Sequence, residues 1–246
     1  MVLTKIENDI LWMTLNRPEK SNAYNFEMAT QLRDEFQRAS ANKNLRALVL
    51  SGNGKNFCTG ADLEWMSHAT DLSEKENQAD LKVLKELYES ALNLDIPIVC
   101  LAHGRIYGGG LGLVAVSDIV VCDTSTDFAL SEAKIGLVPG IITPLVIHKI
   151  GASHFAEASL TARVFSADEA LRWGLVHHLV SQQDHSAKAN LILREISENS
   201  ARSLAEIKKT IRDQFFASDI LQRMLSSSAK MRHSDDFRQR SSKFKK

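Results

Sequence analysis

LRALVLSGNGKNFCTGAD, residues 45–62, runs from an apolar segment straight into a glycine-rich loop. Leu45–Leu50 suits a short buried strand. The pattern comes twice. Residues 98–102 (IVCLA) read as a strand, Gly104 to Gly112 (GRIYGGGLG) as the loop, and residues 111–117 as a short buried helix. Each loop therefore follows a strand and precedes a helix. A helix N-terminus presents N–H groups that lack an intrahelical acceptor, together with the positive end of the dipole. Glycine lets the backbone approach a ligand closely. Two such loops side by side can aim two N–H groups at one oxygen. Each donor of such an oxyanion hole is worth about 2.7–4 kcal/mol in the transition state.

Outward from these loops, DILWMTL (9–15) reads as a strand and Pro18 opens a turn. Asn25 caps a helix reaching about residue 41, with Met28, Leu32 and Phe36 on one face. Ser73 with Glu76 forms a capping box for a helix of about residues 74–94. Leu81, Leu84, Tyr88 and Ala91 share a face of it, and Lys82–Glu86 and Lys85–Glu89 are i,i+4 pairs facing water. Asp118–Asp123 reads as a strand, Ser131–Glu132 as the start of a turn reaching Gly136, and 143–150 and 151–162 as helices. Ser166 with Glu169 is a second capping box, for a helix ending at Gly174. Residues 175–180 close the strand series, and the chain is helical and charged from about 184. Strands and helices alternate over the first 180 residues, which implies an α/β layer with a helical C-terminal extension. The division falls at 1–184 and 185–246. The late helices carry apolar faces that neighbouring subunits would cover, so an oligomer is expected.

With 246 residues the chain suits one large domain, or one with an appendage. The composition is that of an ordinary soluble protein. Thirty basic and thirty acidic residues cancel, which argues against a general nucleic-acid binder. Residues 229–246 alone hold seven basic and two acidic groups, a basic tail that could help hold a phosphate-bearing ligand. Cys58, Cys100 and Cys122 are too few for a disulfide framework, and are read as reduced and buried in an intracellular, cytoplasmic protein. The N-terminus lacks the pattern of a signal peptide, and no apolar run is long enough for a membrane span.

GxxxxGK[ST] is absent, and the glycines at 108–112 miss GxGxxG because Leu113 stands three residues after Gly110. No GxSxG elbow occurs. His177, His178 and His185 lack a third ligand at metal spacing, so no metal site is expected. Asp62 is read as stabilising its loop, His103 as a satisfied structural histidine, Tyr107 as pocket lining or core, and Trp65 and Met66 as packing a helix or pocket wall.

NRPEKSNA (16–23), FCTGADLEWM (57–66), GxxxGGG with Asp118 eight residues after Gly110, FALSEAKIGLVPG (128–140) and ADEALRWGLV (167–176) occur in order along essentially the whole chain. In this series the sequence resembles the enoyl-CoA hydratase/isomerase (crotonase) family. The resemblance implies a spiral of ββα units with a helical C-terminal trimerisation region, assembled as trimers or as hexamers built from two trimers. It implies an acyl-CoA substrate, with coenzyme A as part of that substrate and no other cofactor, and a thioester enolate held by two backbone N–H groups. Those donors fall on Ala61 and Gly109. The CoA-binding positions fall near Lys20, Asn22 and Ala23 and at Thr59, Ala61 and Leu63, with Phe237, Lys243 and Phe244 as C-terminal candidates.

Well-known hydratases of the family carry two catalytic glutamates. One matches Glu132; the other falls on Gly112. A single carboxylate beside the thioester Cα can act as general acid/base, and partial burial would raise its pKa toward neutrality. This suits a Δ3,Δ2-enoyl-CoA isomerase, a dehalogenase or another enolate-forming member. GGGLGL followed by LSEAKIGLVPGIITPLVI further resembles the 3-methylglutaconyl-CoA and isohexenylglutaconyl-CoA hydratases of bacterial leucine and acyclic-terpene catabolism. On that resemblance the expected reaction is hydration of a branched, dicarboxylic enoyl-CoA, with Gly112 opening room for the branch. An RNA-binding role, reported for some relatives of the glutaconyl-CoA type, is the alternative from another class. Zero net charge weighs against it, and neither a nucleic acid nor a membrane is an expected partner.

Overall fold

The structure is a computed structural model and describes residues 1–216 and 219–241. A hairpin opens the chain. Strand β1 (Val2–Glu7) turns at Asn8 and Asp9, both with positive φ, into β2 (Ile10–Leu15). That two-residue turn favours residues that tolerate the left-handed region, and β1 is a largely exposed edge strand that the sequence reading passed over.

Helix α1 (Phe26–Ala41) starts where the Asn25 side chain accepts from the Met28 N–H at 3.0 Å. Then come β3 (Ala47–Gly52), α2 (Leu63–His68), α3 (Glu74–Leu92), β4 (Ile98–Ala102), β5 (Arg105–Tyr107), α4 (Gly109–Val116), β6 (Ile119–Asp123) and β7 (Asp127–Ala129). The later elements are α5 (Thr143–Thr161), β8 (Val164–Ser166), α6 (Ala167–Arg172), β9 (His178–Val180), α7 (His185–Glu198), α8 (Ala201–Phe215), α9 (Ile220–Arg232) and α10 (Asp235–Ser241). Both capping boxes are formed, Ser73 with Glu76 and Ser166 with Glu169. Helix α5 breaks at Gly151 (φ 73°, ψ 161°), where the sequence reading divides two helices.

The main sheet has the order β1-β2-β3-β4-β6-β9, antiparallel at β1–β2 and parallel elsewhere. Parallel strands are covered on both faces and so read as continuous apolar runs, as in β3 and β4. Successive residues still point to opposite faces. Leu48 and Leu50 join the larger core with α1, α3 and α4, while Ala47 and Val49 meet Ala189, Ile192, Leu193 and Ile196 of α7. Asp118 accepts from the Ile98 N–H at 2.7 Å and pairs with Lys208, tying the starts of β4 and β6 to α8.

A second sheet, β5-β7-β8, consists of three-residue strands that sequence periodicity did not register. Its strand β5 brings the second glycine loop beside the first. In the C-terminal quarter α7 covers one face of the main sheet, and α9 buries Leu221, Leu225 and Ala229 in the larger core, packing against α3.

Candidate active site

The two glycine loops meet because backbone bridges hold them side by side. The Tyr107 N–H donates to the Cys58 carbonyl at 3.1 Å, so β5 pairs with the first loop. On its other side that loop pairs with Tyr24. The Tyr24 N–H donates to the Gly60 carbonyl and the Asp62 N–H to the Tyr24 carbonyl, both at 2.9 Å. This parallel bridge uses the groups flanking Ala61 and leaves the Ala61 N–H without an acceptor among the described residues. The Gly109 N–H is likewise unpaired, as expected in the first turn of α4. Both residues line one cleft of about 780 Å³.

Gly109 admits no side chain, since a Cβ there would lie 1.7 Å from the Tyr24 hydroxyl. Tyr24 and Tyr88 are fully buried at the cleft wall, hydroxyl to hydroxyl at 3.1 Å. The Tyr88 hydroxyl donates to the Gly109 carbonyl at 3.0 Å, so its one proton is committed and Tyr24 is the donor within the pair. Burial, with smaller contributions from the Glu132 charge, pushes both phenols above their ordinary range. They remain protonated.

Glu132 opens a single 3-10 turn, Glu132–Ile135, closed by the left-handed Gly136. Its carboxyl lies against Gly108, where a Cβ would be 3.2 Å from Oε1. Oε2 is buried with no hydrogen-bond partner. Loss of water disfavours the charged form, and the carboxyl is pushed up to about 7.

Gly112 sits one turn into α4, and there the structure corrects the sequence reading. The position opens no room, because a Cβ would lie 2.4 Å from Ile142 Cγ2 and 2.5 Å from the Tyr88 hydroxyl. Gly112 is buried and does not line the cleft; the polar group over it is the Tyr88 phenol. Gly112→Ala should therefore cost about 1–3 kcal/mol through overpacking, and Gly112→Glu more. Thermal melts check this, and a Gly112→Ala melt matching the parent would sink it.

Lys20, Ala23, Thr59 and Leu63 line the same cleft, with Lys20 exposed and 3.6 Å from Glu64. Asn22 does not reach the cleft. Its buried side chain accepts from the Arg17 N–H and donates to the Asn53 and Asn56 carbonyls, each at 2.8 Å, fixing the first loop. Asp62 holds its loop in the same way, pairing with Arg17 at 2.5 Å and capping α2 through the Glu64 N–H at 2.8 Å. Phe237 is buried in α10, which packs on the turn carrying Glu132, and does not line the cleft. Lys243 and Phe244 lie outside the described residues. His103 donates from Nε2 to the Gly54 carbonyl at 3.0 Å, as a satisfied structural histidine does. Tyr107 stays off the cleft wall, and Met66 lines it.

Three cleft residues escaped the sequence reading of the site. Tyr24 is a single aromatic in a turn, Tyr88 one of several core-face residues on α3, and Arg232 one cation of a basic tail. Their roles come from contacts 64 and 152 residues apart in the chain, between Tyr24 and Tyr88 and between Arg232 and Asp80. No local signal marks them.

Two unpaired N–H groups beside one near-neutral carboxyl are the parts an enolate-forming enzyme needs. The sequence model of the enoyl-CoA hydratase/isomerase family matches residues 5–245, and the chain belongs to that family of enzymes. It is 31% identical over 205 residues to the carnitinyl-CoA dehydratase of Escherichia coli K12, covering 82% of this chain and 77% of that one. It is 27% identical over 216 residues to the 1,2-epoxyphenylacetyl-CoA isomerase of the same strain, covering 85% and 81%. The crystal structure of an enoyl-CoA hydratase from Bacillus halodurans superposes with a TM-score of 0.91 at 23% identity, over 98% of this chain and 99% of that one. The fold is thus the crotonase fold, with its helical C-terminal region.

Proposed function

We propose that the protein is an enoyl-CoA hydratase acting on a branched α,β-unsaturated acyl-CoA such as 3-methylglutaconyl-CoA. The observation carrying this reading is the Glu132 carboxyl, half protonated at about pH 7 and unpartnered at Oε2, beside two protonated phenols. In this reading the Ala61 and Gly109 N–H groups hold the thioester oxygen and stabilise the enolate. Water bonds to Cβ while the π electrons move to the thioester oxygen as the enolate. Glu132 delivers its proton to Cα as the enolate collapses, and the proton that the added water loses returns to Glu132. Water is held by donating to the phenol oxygen of Tyr24, whose own proton is committed to Tyr88, and the pair thus takes the place of a second glutamate. Lys20, near the cleft mouth, faces the CoA phosphates, and Ala23, Thr59 and Leu63 hold the CoA portion. The scheme calls on no cofactor beyond that CoA. The exposed Ile207, Ile211 and Phe215 of α8 support assembly as a trimer or a pair of trimers.

A Δ3,Δ2-enoyl-CoA isomerase is the second reading, favoured by the single glutamate. The two start from opposite protonation states, so turnover of 3-methylglutaconyl-CoA, crotonyl-CoA and a 3-enoyl-CoA across pH separates them. Hydration begins with protonated Glu132, so its kcat/KM should fall as pH rises through about 7. Isomerisation begins with the carboxylate and should rise through the same window. Loss of the conjugated thioester absorbance with the methylglutaconyl substrate, on a falling limb, is the expected result. Gain of absorbance from the 3-enoyl substrate alone, on a rising limb, would move the assignment to isomerase.

A further inference from the structure

We infer that Arg232 forms a carboxylate-binding subsite in the wall of the cleft, so that the acyl chains this protein selects carry a second, distal carboxylate. The inference rests on the reading of the cleft as an acyl-CoA site. Arg232 is 4% exposed and yet lines the cleft. Its Nη1 donates to Asp80 Oδ2 at 2.7 Å, and its guanidinium lies 5.5 Å from the centre of the Trp65 ring. Trp65 in turn donates from Nε1 to Asp80 Oδ1 at 2.9 Å. Neither Asp80 nor Trp65 lines the cleft. They hold the guanidinium from behind, while Nε and Nη2 have no protein partner among the described residues.

Stability alone gives little reason for this arrangement. A buried ion pair is commonly no better than apolar residues of the same volume, and the surrounding cleft wall is apolar, with Leu81, Leu84 and Ile142. A guanidinium held on one side and open on the other is suited to a planar carboxylate. Its placement also fits an acyl chain. Tyr88 marks the reacting end beside Gly109, and Asp80 lies eight residues earlier on α3, about 12 Å along the helix axis. Ser228, one turn before Arg232 on α9, lines the same wall.

Calorimetry with saturated acyl-CoA pairs of equal carbon number tests this without any chemistry. The pairs are glutaryl-CoA against pentanoyl-CoA and adipyl-CoA against hexanoyl-CoA, each titrated into the parent protein, Arg232→Met and the charge-balanced Arg232→Met/Asp80→Asn variant. A charge-assisted hydrogen bond of ordinary strength implies a preference of about tenfold or more for the carboxylate member of at least one pair. Both variants should erase that preference and leave the methyl-ended ligands bound within about threefold. Equal affinity within both pairs for the parent protein would overturn the proposal, and so would an equal loss for both members in the charge-balanced variant. Because these ligands have no double bond, a preference that persists while hydration is absent would refute the hydratase reading and leave the subsite standing. Failure of every acyl-CoA to bind would overturn the acyl-CoA reading and the subsite with it.

Discussion

Glu132→Gln should abolish turnover and, above neutral pH, make the protein more stable. General acid–base groups typically contribute about 10²–10⁴-fold to rate, and the other two carboxylates lining the cleft are otherwise engaged, Asp62 with Arg17 and the exposed Glu64 with Lys20. The stability effect follows from the same burial. The carboxyl titrates at about 7 in the folded protein against 4.5 when free. Between those values the unfolded chain loses its proton while the folded chain keeps it, so stability drains away as pH rises through that window. Above pH 7 the cost is complete and on the order of 3 kcal/mol. Glutamine carries no such cost. Melting of the variant should therefore exceed that of the parent by several degrees at pH 8 and match it near pH 4, since about 1 kcal/mol moves a protein of this size by roughly 2–4 °C. A melting difference that does not vary with pH would show that Glu132 is not a buried acid, and residual turnover near the parent level would remove it from the chemistry.

The second large effect is expected at Gly109. In Gly109→Ala the new methyl would stand 1.7 Å from the Tyr24 hydroxyl, so the phenol must leave. Its departure breaks the hydroxyl pair with Tyr88 and loosens the segment whose backbone pairs with the first loop on either side of Ala61. One small substitution thus disturbs both N–H donors. Loss of one such donor costs about 10²–10³ in kcat, and overpacking adds about 1–3 kcal/mol of instability. Tyr24→Phe supplies the control, because it removes the hydroxyl and keeps the ring. The double variant Gly109→Ala/Tyr24→Phe should recover stability relative to Gly109→Ala alone. If Gly109→Ala keeps both its melting point and its kcat, the contact between Tyr24 and Gly109 does not constrain the site.

The local signals and the long-range ones divide sharply in this chain. Asn25, Ser73 with Glu76, and Ser166 with Glu169 act within three residues of themselves, so the helix starts could be read directly. Strands β3, β4 and β6 are continuous apolar runs because both sheet faces are covered. The glycine loops announce themselves through residue type, and Glu132 stands out because it follows a recognisable motif. The edge strand β1 and the three-residue strands of the second sheet left no comparable mark. They are too short, or too exposed, to show a period.

By itself, then, the amino-acid sequence determined the α/β architecture, the two loops that supply the free N–H groups, and the position of the single carboxyl. Only the tertiary structure decided what surrounds that carboxyl. Burial without a partner sets its titration near neutrality, Tyr88 and Ile142 fill the space that Gly112 was expected to open, and α9 folds back to bring Arg232 into the cleft. These properties depend on which distant residues exclude water from one small volume, and no periodicity or spacing along the chain encodes that exclusion.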